Sequence, residues 1–481
     1  MSDFVMSIGG QSTGPESTFG VVNPSTGEIF AEAPECSRAQ LDAAFASAQS
    51  AFASWRTDED QRRKALLSMA DVLMASVDQL APLLTTEQGK PLNDAGMEVF
   101  AAAIWCQYFA NLETPPQVIQ DDADALVQVV RRPLGVVAAI TPWNFPLTLA
   151  FWKIAPALLA GNTVVIKPSP FTPLSTLKAV ELLQGALPAG VLNAVSGGDQ
   201  LGAWMTGHPV PRKVSFTGSI ETGKKVALSA APDLKRVTLE LGGNDAAIIL
   251  DDADPQVVAK GIFAGAFNNN GQVCSAIKRV YVPDALYGDV VDALAGYAST
   301  VKVGDGHDPT SKLGPINNAP QFERVKMLVA DALSNGASAV TGGHAMDRPG
   351  YFFEPTILTG LAEGTRIVDE EQFGPALPVM SYSSIDDAVE RANATNFGLS
   401  GSVWSADPDR AAAVANQLEC GTAWINTHLA LQPNQPFGGC KWSGIGVENG
   451  PWGLSEFSEV QAVYRSRTSD GLNITTAGLV S

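Results

Sequence analysis

Three short segments carry side chains able to do covalent chemistry. Residues 268–275 read NNNGQVCS and set Cys274 behind a run of small polar residues and a glycine. A thiol in an irregular polar turn is better placed to react than one in an apolar core, although a single cysteine is by itself more often a packing residue. Residues 239–243 read LELGG and end an apolar strand on Glu240. Burying a carboxylate there is costly unless it is paired or functional. Residues 141–146 read TPWNFP and hold Asn144 between two prolines just after a strand. That pattern also suits an ordinary rigid turn. A reactive thiol and a functional carboxylate are residue types able to do nucleophilic and acid–base chemistry.

A fourth segment bears on phosphate. Residues 218–225 read GSIETGKK. This matches a phosphate-binding loop at Gly218, Gly223 and Lys224 but has Lys225 where Ser or Thr would hold magnesium. The better reading is a strand, 213–217, that turns through Gly218 and Ser219 into a helix at 221–231. The free N–H groups and the dipole of such a helix start favour phosphate. A strict GxGxxG is absent from the chain.

These segments need elements to hold them. Apolar runs at 134–140, 163–167, 191–195, 213–217, 236–240 and 246–250 read as strands, with helical stretches between most of them. A second series runs from 277 to 426, with strands in IKRVYV, ASAV, LPVMSY, GSVW and TAWIN. Continuous apolar strands joined by helices indicate parallel sheets covered on both faces. The fold class is therefore α/β, with two units in series. Upstream, Leu41, Phe45, Ala48, Phe52 and Trp55 recur at helical spacing, and further helices are expected at about 61–81 and 94–112. The apolar stretch 147–161 reads as a buried helix. Residues 114–132 open with Pro115-Pro116 and read as a β arm apart from the body.

Composition limits the function classes. The chain has 481 residues, 45% hydrophobic and 17% charged, enough to bury large cores. A net charge of −19 argues against nucleic acid or an anionic membrane as partner. Five widely spaced cysteines without a CxxC, and four scattered histidines without HExxH, give no disulfide framework and no metal site. The start, MSDFVMSIGG, does not read as a secretory signal, so a cytoplasmic location is expected.

Taken together, the segments resemble the aldehyde dehydrogenase superfamily over nearly the whole chain. The motifs, in order, are TPWNFP (141–146), KPSPFTP (167–173), FTGS…G (216–223), ELGG (240–243), GQVC (271–274), EEQFGP (370–375) and PFGGCKWSGIG (436–446). The resemblance implies a Rossmann-type cofactor domain over 1–113 and 133–241 and a catalytic domain over 242–445. It also implies an oligomerisation unit from 114–132 and 446–481, making a homodimer or homotetramer. It implies oxidation of a small aldehyde to its acid with NAD or NADP and no metal. Cys274 matches the nucleophile, Glu240 the general base, Asn144 the oxyanion amide and Lys153 a lysine linked to the catalytic centre. Lys167 matches the residue holding the adenosine ribose, and Ser219 the pyrophosphate contact. Glu371 and Phe373 match those that hold the nicotinamide ribose and ring. Thr141, Pro142, Trp143, Ser169, Pro170, Gly218 and Leu241 complete the expected cofactor contacts, and Phe145, Trp152 and Phe437 the substrate tunnel.

Two departures qualify the specificity. Many NAD-preferring relatives have Glu where this chain has Pro170, and losing a carboxylate there opens the site to NADP. Some succinic-semialdehyde enzymes have a second cysteine where this chain has Ala276, which weakens that assignment. The substrate-loop segment 427–435, THLALQPNQ, lacks aromatic residues and has one cationic candidate, His428. An aliphatic aldehyde or semialdehyde is expected. Two alternatives stay open: a CoA-acylating enzyme, against which Glu240 argues, and an inactive binding homologue.

Overall fold

The computed structural model describes residues 4–467, so the end of the expected oligomerisation unit, 468–481, lies outside the described residues. Two large sheets carry the molecule. Across the first, the strands run Gly444–Ile445, Arg236–Glu240, Lys213–Thr217, Val136–Ile140, Thr163–Lys167, Leu192–Ala194, Met6–Ile8 and Gln11–Thr13. The five central strands are parallel, and the flanking strands pair antiparallel. Alternate residues serve opposite cores, because side chains in a strand alternate in direction. Val136, Ala138 and Ile140 face Phe45, Met205 and Val226. Val137 and Ala139 face Leu66, Phe109, Phe151 and Leu158. Both faces being covered explains why these strands are apolar throughout rather than alternating.

Chain order reverses in this sheet. From Val136–Ile140 the next two strands step one way, while Lys213–Thr217 and Arg236–Glu240 lie on the other side. The crevice at such a switch point, outside the carboxyl ends of the strands, is where open α/β sheets bind ligands. TPWNFP, GS and Glu240 all sit at those ends.

The second sheet runs Ser338–Thr341, Thr356–Thr359, Ala376–Tyr382, Ile277–Pro283, Asp245–Ile249, Ser400–Trp404 and Thr422–Ile425, parallel except at its first strand. The 246–250 strand, read in sequence with the first series, belongs here. The short Gly444–Ile445 strand crosses back to pair with Arg236–Glu240. A third sheet joins Ser458–Ser466 to the hairpin Gln117–Asp121 and Ala125–Pro133.

Other differences from the sequence reading have local causes. The helix expected at 61–81 is two, Glu59–Ala75 and Val77–Gln88, with Ser76 ending one and starting the other. The apolar period carries across that corner, so periodicity alone does not reveal it. Four strands precede residue 36, where none was expected. Two have three residues each, and the pair Ser17–Asn23 and Glu28–Glu35 is largely solvent-facing. Among the described residues, no single helix is long and apolar enough to cross a membrane.

Candidate active site

A cavity of about 1090 Å³ opens at the switch point. Of the residues singled out by sequence, Pro142, Trp143, Asn144, Gly218, Ser219, Glu240, Leu241, Cys274, Glu371 and Phe373 line it. Thr141, Lys153, Lys167, Ser169 and Pro170 stand behind or beyond its wall, as do Phe145, Trp152 and Phe437.

Backbone conformation sets the approach to Cys274. Asn269, Asn270 and Gly271 have φ of 47°, 59° and 75°. Three successive left-handed residues suit only glycine and, at lower cost than other side chains, asparagine, which explains the NNNG run. A Cβ at Gly271 would also lie 2.3 Å from the Gly374 carbonyl oxygen. The turn is tied to the opposite wall, because the Asn144 amide donates to Gln272 O at 2.9 Å. Its second N–H is left for a ligand, and Asn144 Oδ1 has no partner within the protein.

The Cys274 sulfur is reached from the cleft, yet burial pushes its thiol up to about 12. Lys278 opposes this, while Glu240, Asp245 and Glu371 reinforce it. The resting group is thus a thiol that must lose its proton during reaction. Alkylation of the free protein by iodoacetamide is expected to quicken roughly tenfold per pH unit between about pH 7 and 10. A plateau reached below about pH 9 would contradict this resting state.

Glu240 is 3% exposed, and neither carboxylate oxygen has a hydrogen-bond partner within the protein. Burial, then the nearby Glu448, raise it well above the usual carboxylate range, and Lys153 pulls it down. Lys153 is fully buried, donating to Glu448 at 2.5 Å and to Thr217 Oγ1 at 2.8 Å. Ser215 donates to the same Glu448 oxygen at 3.2 Å. The lysine therefore acts on Glu240 through a buried ion pair rather than from the cavity wall. Sequence reading missed Glu448, which lies 295 positions from its partner. It also missed Lys278, whose Nζ lies 2.5 Å from Cys274 O and 3.3 Å from Glu371. Its place four residues after the cysteine was the one available signal.

A second buried pair, Lys90 with Glu98, supports the Asn144 turn. Lys90 Nζ donates to Asn144 O at 2.9 Å and lies 3.9 Å from the centre of the Phe145 ring. Glu98 accepts the Leu147 and Thr148 amides, at 2.9 and 3.2 Å, at the start of the helix Pro146–Leu159. Lys90→Met strands that carboxylate, and a loss of roughly 3–5 kcal/mol is expected. Urea unfolding checks it, and a change under 1 kcal/mol would show that the pair contributes little.

Elsewhere on the cleft, the helix Ile220–Ala230 points its N-terminus into the cavity, capped by Ser219, which accepts from Thr222 N at 3.3 Å. Lys224 pairs with Glu221 and lies over the Trp442 ring. Glu371 accepts Gly243 N at 3.1 Å, and Phe373 packs edge-on against Trp143. Lys167 ends its strand beside Thr141, whose N–H donates to Lys167 O at 3.1 Å. Ser169 Oγ accepts the Phe171 amide, and Pro170 is half-buried beside it.

Behind Cys274 the surroundings are apolar. Trp152 stacks with Trp105 and meets Phe437 edge-on, and Phe145 and Leu431 pack on the same core. His428 is not the cation that its sequence position suggested. Burial takes its pKa down to about 3, and Nε2 donates to Ser275 O at 2.7 Å. The ring is therefore neutral.

Residues 11–463 match the sequence pattern of the Aldehyde dehydrogenase family. Phenylacetaldehyde dehydrogenase of Pseudomonas fluorescens is 39% identical, covering 95% of each chain. The 3-sulfolactaldehyde dehydrogenase of Pseudomonas putida is 39% identical over 93% of each. The structure of an aldehyde dehydrogenase from Bacillus cereus in complex with NAD+ superposes with a TM-score of 0.94 at 37% identity, over 97% of each chain.

Proposed function

Because the chain belongs to the aldehyde dehydrogenase family, we propose that it oxidises an uncharged aldehyde to the free acid with a nicotinamide dinucleotide, water taking the acyl group. The observation that carries this reading is Glu240, a buried carboxylate facing the cavity with both oxygens unpartnered. A base so placed is available to a water molecule, and burial raises its proton affinity above that of an ordinary carboxylate, which strengthens it as a base. The discriminating experiment is the product formed with and without CoA. Free acid at the same rate in both supports water as acceptor, whereas acyl-CoA formed only with CoA would contradict it.

The residues present fit the cofactor. The cavity is large, one wall is a helix N-terminus suited to a pyrophosphate, and Asn144 Oδ1 on its lining is buried without a partner. Lys167 would hold the adenosine ribose, Ser219 the pyrophosphate, and Glu371 with Phe373 the nicotinamide end. When bound, the cofactor supplies the acceptor for the hydride that leaves the substrate carbon.

Within the chain, Cys274 gives its proton to solvent water in the cleft as Sγ attacks the aldehyde carbon. The developing oxyanion takes the free Asn144 N–H and the backbone N–H of Cys274. After oxidation a thioester remains on Cys274. Glu240 takes a proton from water, which attacks the thioester and releases the acid. The Lys153–Glu448 pair, held by Thr217 and Ser215, adjusts from behind the raised proton affinity that burial gives Glu240.

Substrate charge is argued from two features. The apolar group around Cys274, with Phe145, Trp152, Phe437 and Leu431, favours an uncharged chain. Neutral His428 removes the cation that a semialdehyde carboxylate would seek. A panel of aliphatic, aromatic and semialdehyde substrates tests this, and a highest kcat/KM for the semialdehyde would contradict it.

The same reading assigns 1–113 and 133–241 to cofactor binding, 242–445 to catalysis and the third sheet to assembly. Val460, Tyr464 and Ile119 are 68%, 62% and 63% exposed on that sheet, and among the described residues Ser458–Ser466 is its outer strand. Open edges and exposed apolar side chains favour pairing with another chain. A homodimer or homotetramer is expected. Phe457 is buried, so truncation just after it keeps the core ring. Light scattering should then show monomers or aggregates, and an unchanged native mass would place the contact elsewhere.

A further inference from the structure

The missing carboxylate at Pro170 leaves open what reads the 2′ position of the cofactor, and the structure puts two other carboxylates at that end. The strand Glu28–Glu35 finishes against the turn that follows Leu192–Ala194. Cys36 N donates to Ser196 O at 2.9 Å, and Ser196 Oγ donates to Pro34 O at 2.5 Å. Glu35 Oε1 then lies 3.4 Å from Gly198 N, so close over the turn that a Cβ at Gly197 would meet it at 2.8 Å. That turn is beside Lys167, because Val195 N donates to Ile166 O at 2.9 Å. Asp199 begins the next helix, Asp199–Gly207, and is exposed.

Lys167 registers both charges. Burial takes its ammonium down to about 8, while Asp199 and then Glu35 hold it up. With one ammonium against two carboxylates, the local balance is negative. Ribose hydroxyls are neutral donors that such acceptors can bind, whereas a 2′-phosphate brings further negative charge that they repel.

We propose that Glu35, lying over the Gly197–Gly198 turn beside Lys167, makes this site select NAD over NADP. The proposal rests on the reading above that Lys167 marks the adenosine-ribose end of the cofactor site. Asp199 contributes repulsion of the same sign from the solvent side.

Dissociation constants for NAD+ and NADP+, measured without aldehyde by quenching of tryptophan fluorescence, test this directly, since Trp143 and Trp442 line the cleft. Wild-type protein is expected to bind NAD+ at least about tenfold more tightly, equivalent to about 1.4 kcal/mol. Glu35→Gln should narrow the ratio about fivefold or more, mainly by tightening NADP+, and Glu35→Arg should narrow it further. Glu35→Asp, which keeps the charge, should retain most of the preference and controls for folding. Added salt should narrow the ratio more in wild type than in Glu35→Gln. A wild-type ratio near one, or a ratio unchanged by Glu35→Gln, would overturn the proposal. If Lys167→Met bound both cofactors as wild type does, the assignment of the ribose site itself would fall instead.

Discussion

Cys274→Ala is expected to lower aldehyde oxidation by at least about 10⁴-fold, on the order of 5.5 kcal/mol of transition-state stabilisation. Cofactor affinity should change by less than about twofold, because the thiol acts only once the aldehyde carbon is in reach. No other cysteine can substitute. Cys36 and Cys106 are buried, with thiols pushed well up by burial, and neither they nor Cys420 and Cys440 line the cleft. Steady-state turnover and fluorescence titration of the same preparation check both halves. Turnover within tenfold of wild type would remove Cys274 from the chemistry. Loss of cofactor binding together with activity would point to a collapsed cleft instead.

Glu240→Gln is expected to separate the two halves of the reaction. Attack by Cys274 and loss of hydride do not need a base for water, so one rapid burst of reduced cofactor should appear. Turnover should then fall by about 10²–10⁴-fold, the usual contribution of a positioned general base. The amide keeps the volume of the carboxylate, and a Cβ added at Gly438 would lie only 3.2 Å from Glu240 Oε1, so bulk changes are poorly tolerated there. Stopped-flow measurement gives the burst amplitude per active site. If the burst vanishes as well, Glu240 also takes the Cys274 proton, which the thiol's raised pKa makes a definite alternative division of labour.

What the sequence revealed follows from how local each signal is. The central strands were legible because both faces are buried, so each strand is a continuous apolar run between turn residues. That Cys274, Glu240 and Asn144 line one cleft was foreshadowed because each lies at or just beyond a strand or helix end inside a short motif. The first 35 residues were not, because three-residue strands and a solvent-facing pair leave little periodic signal. The corner at Ser76 has neither Pro nor Gly to mark it. The buried charges were least legible of all. Nothing in the local sequence marks Glu448 or Glu98 until packing sets one on Lys153 and the other on Lys90 and a helix start. His428 failed in the opposite direction, since its type suggested a cation and its burial makes it neutral. Glu35 gained its importance only from the strand end that carries it to the turn beside Lys167.

The central claim is a covalent acyl group on Cys274 that water, activated by Glu240, removes. Its most direct test is the mass of intact Glu240→Gln protein, quenched in acid seconds after mixing with aldehyde and oxidised cofactor, followed by peptide mapping. The expected result is a mass increase equal to the substrate's acyl group, near one per active site and confined to the peptide containing Cys274. Unmodified protein after a full burst of reduced cofactor, or an acyl group on any other residue, would contradict it.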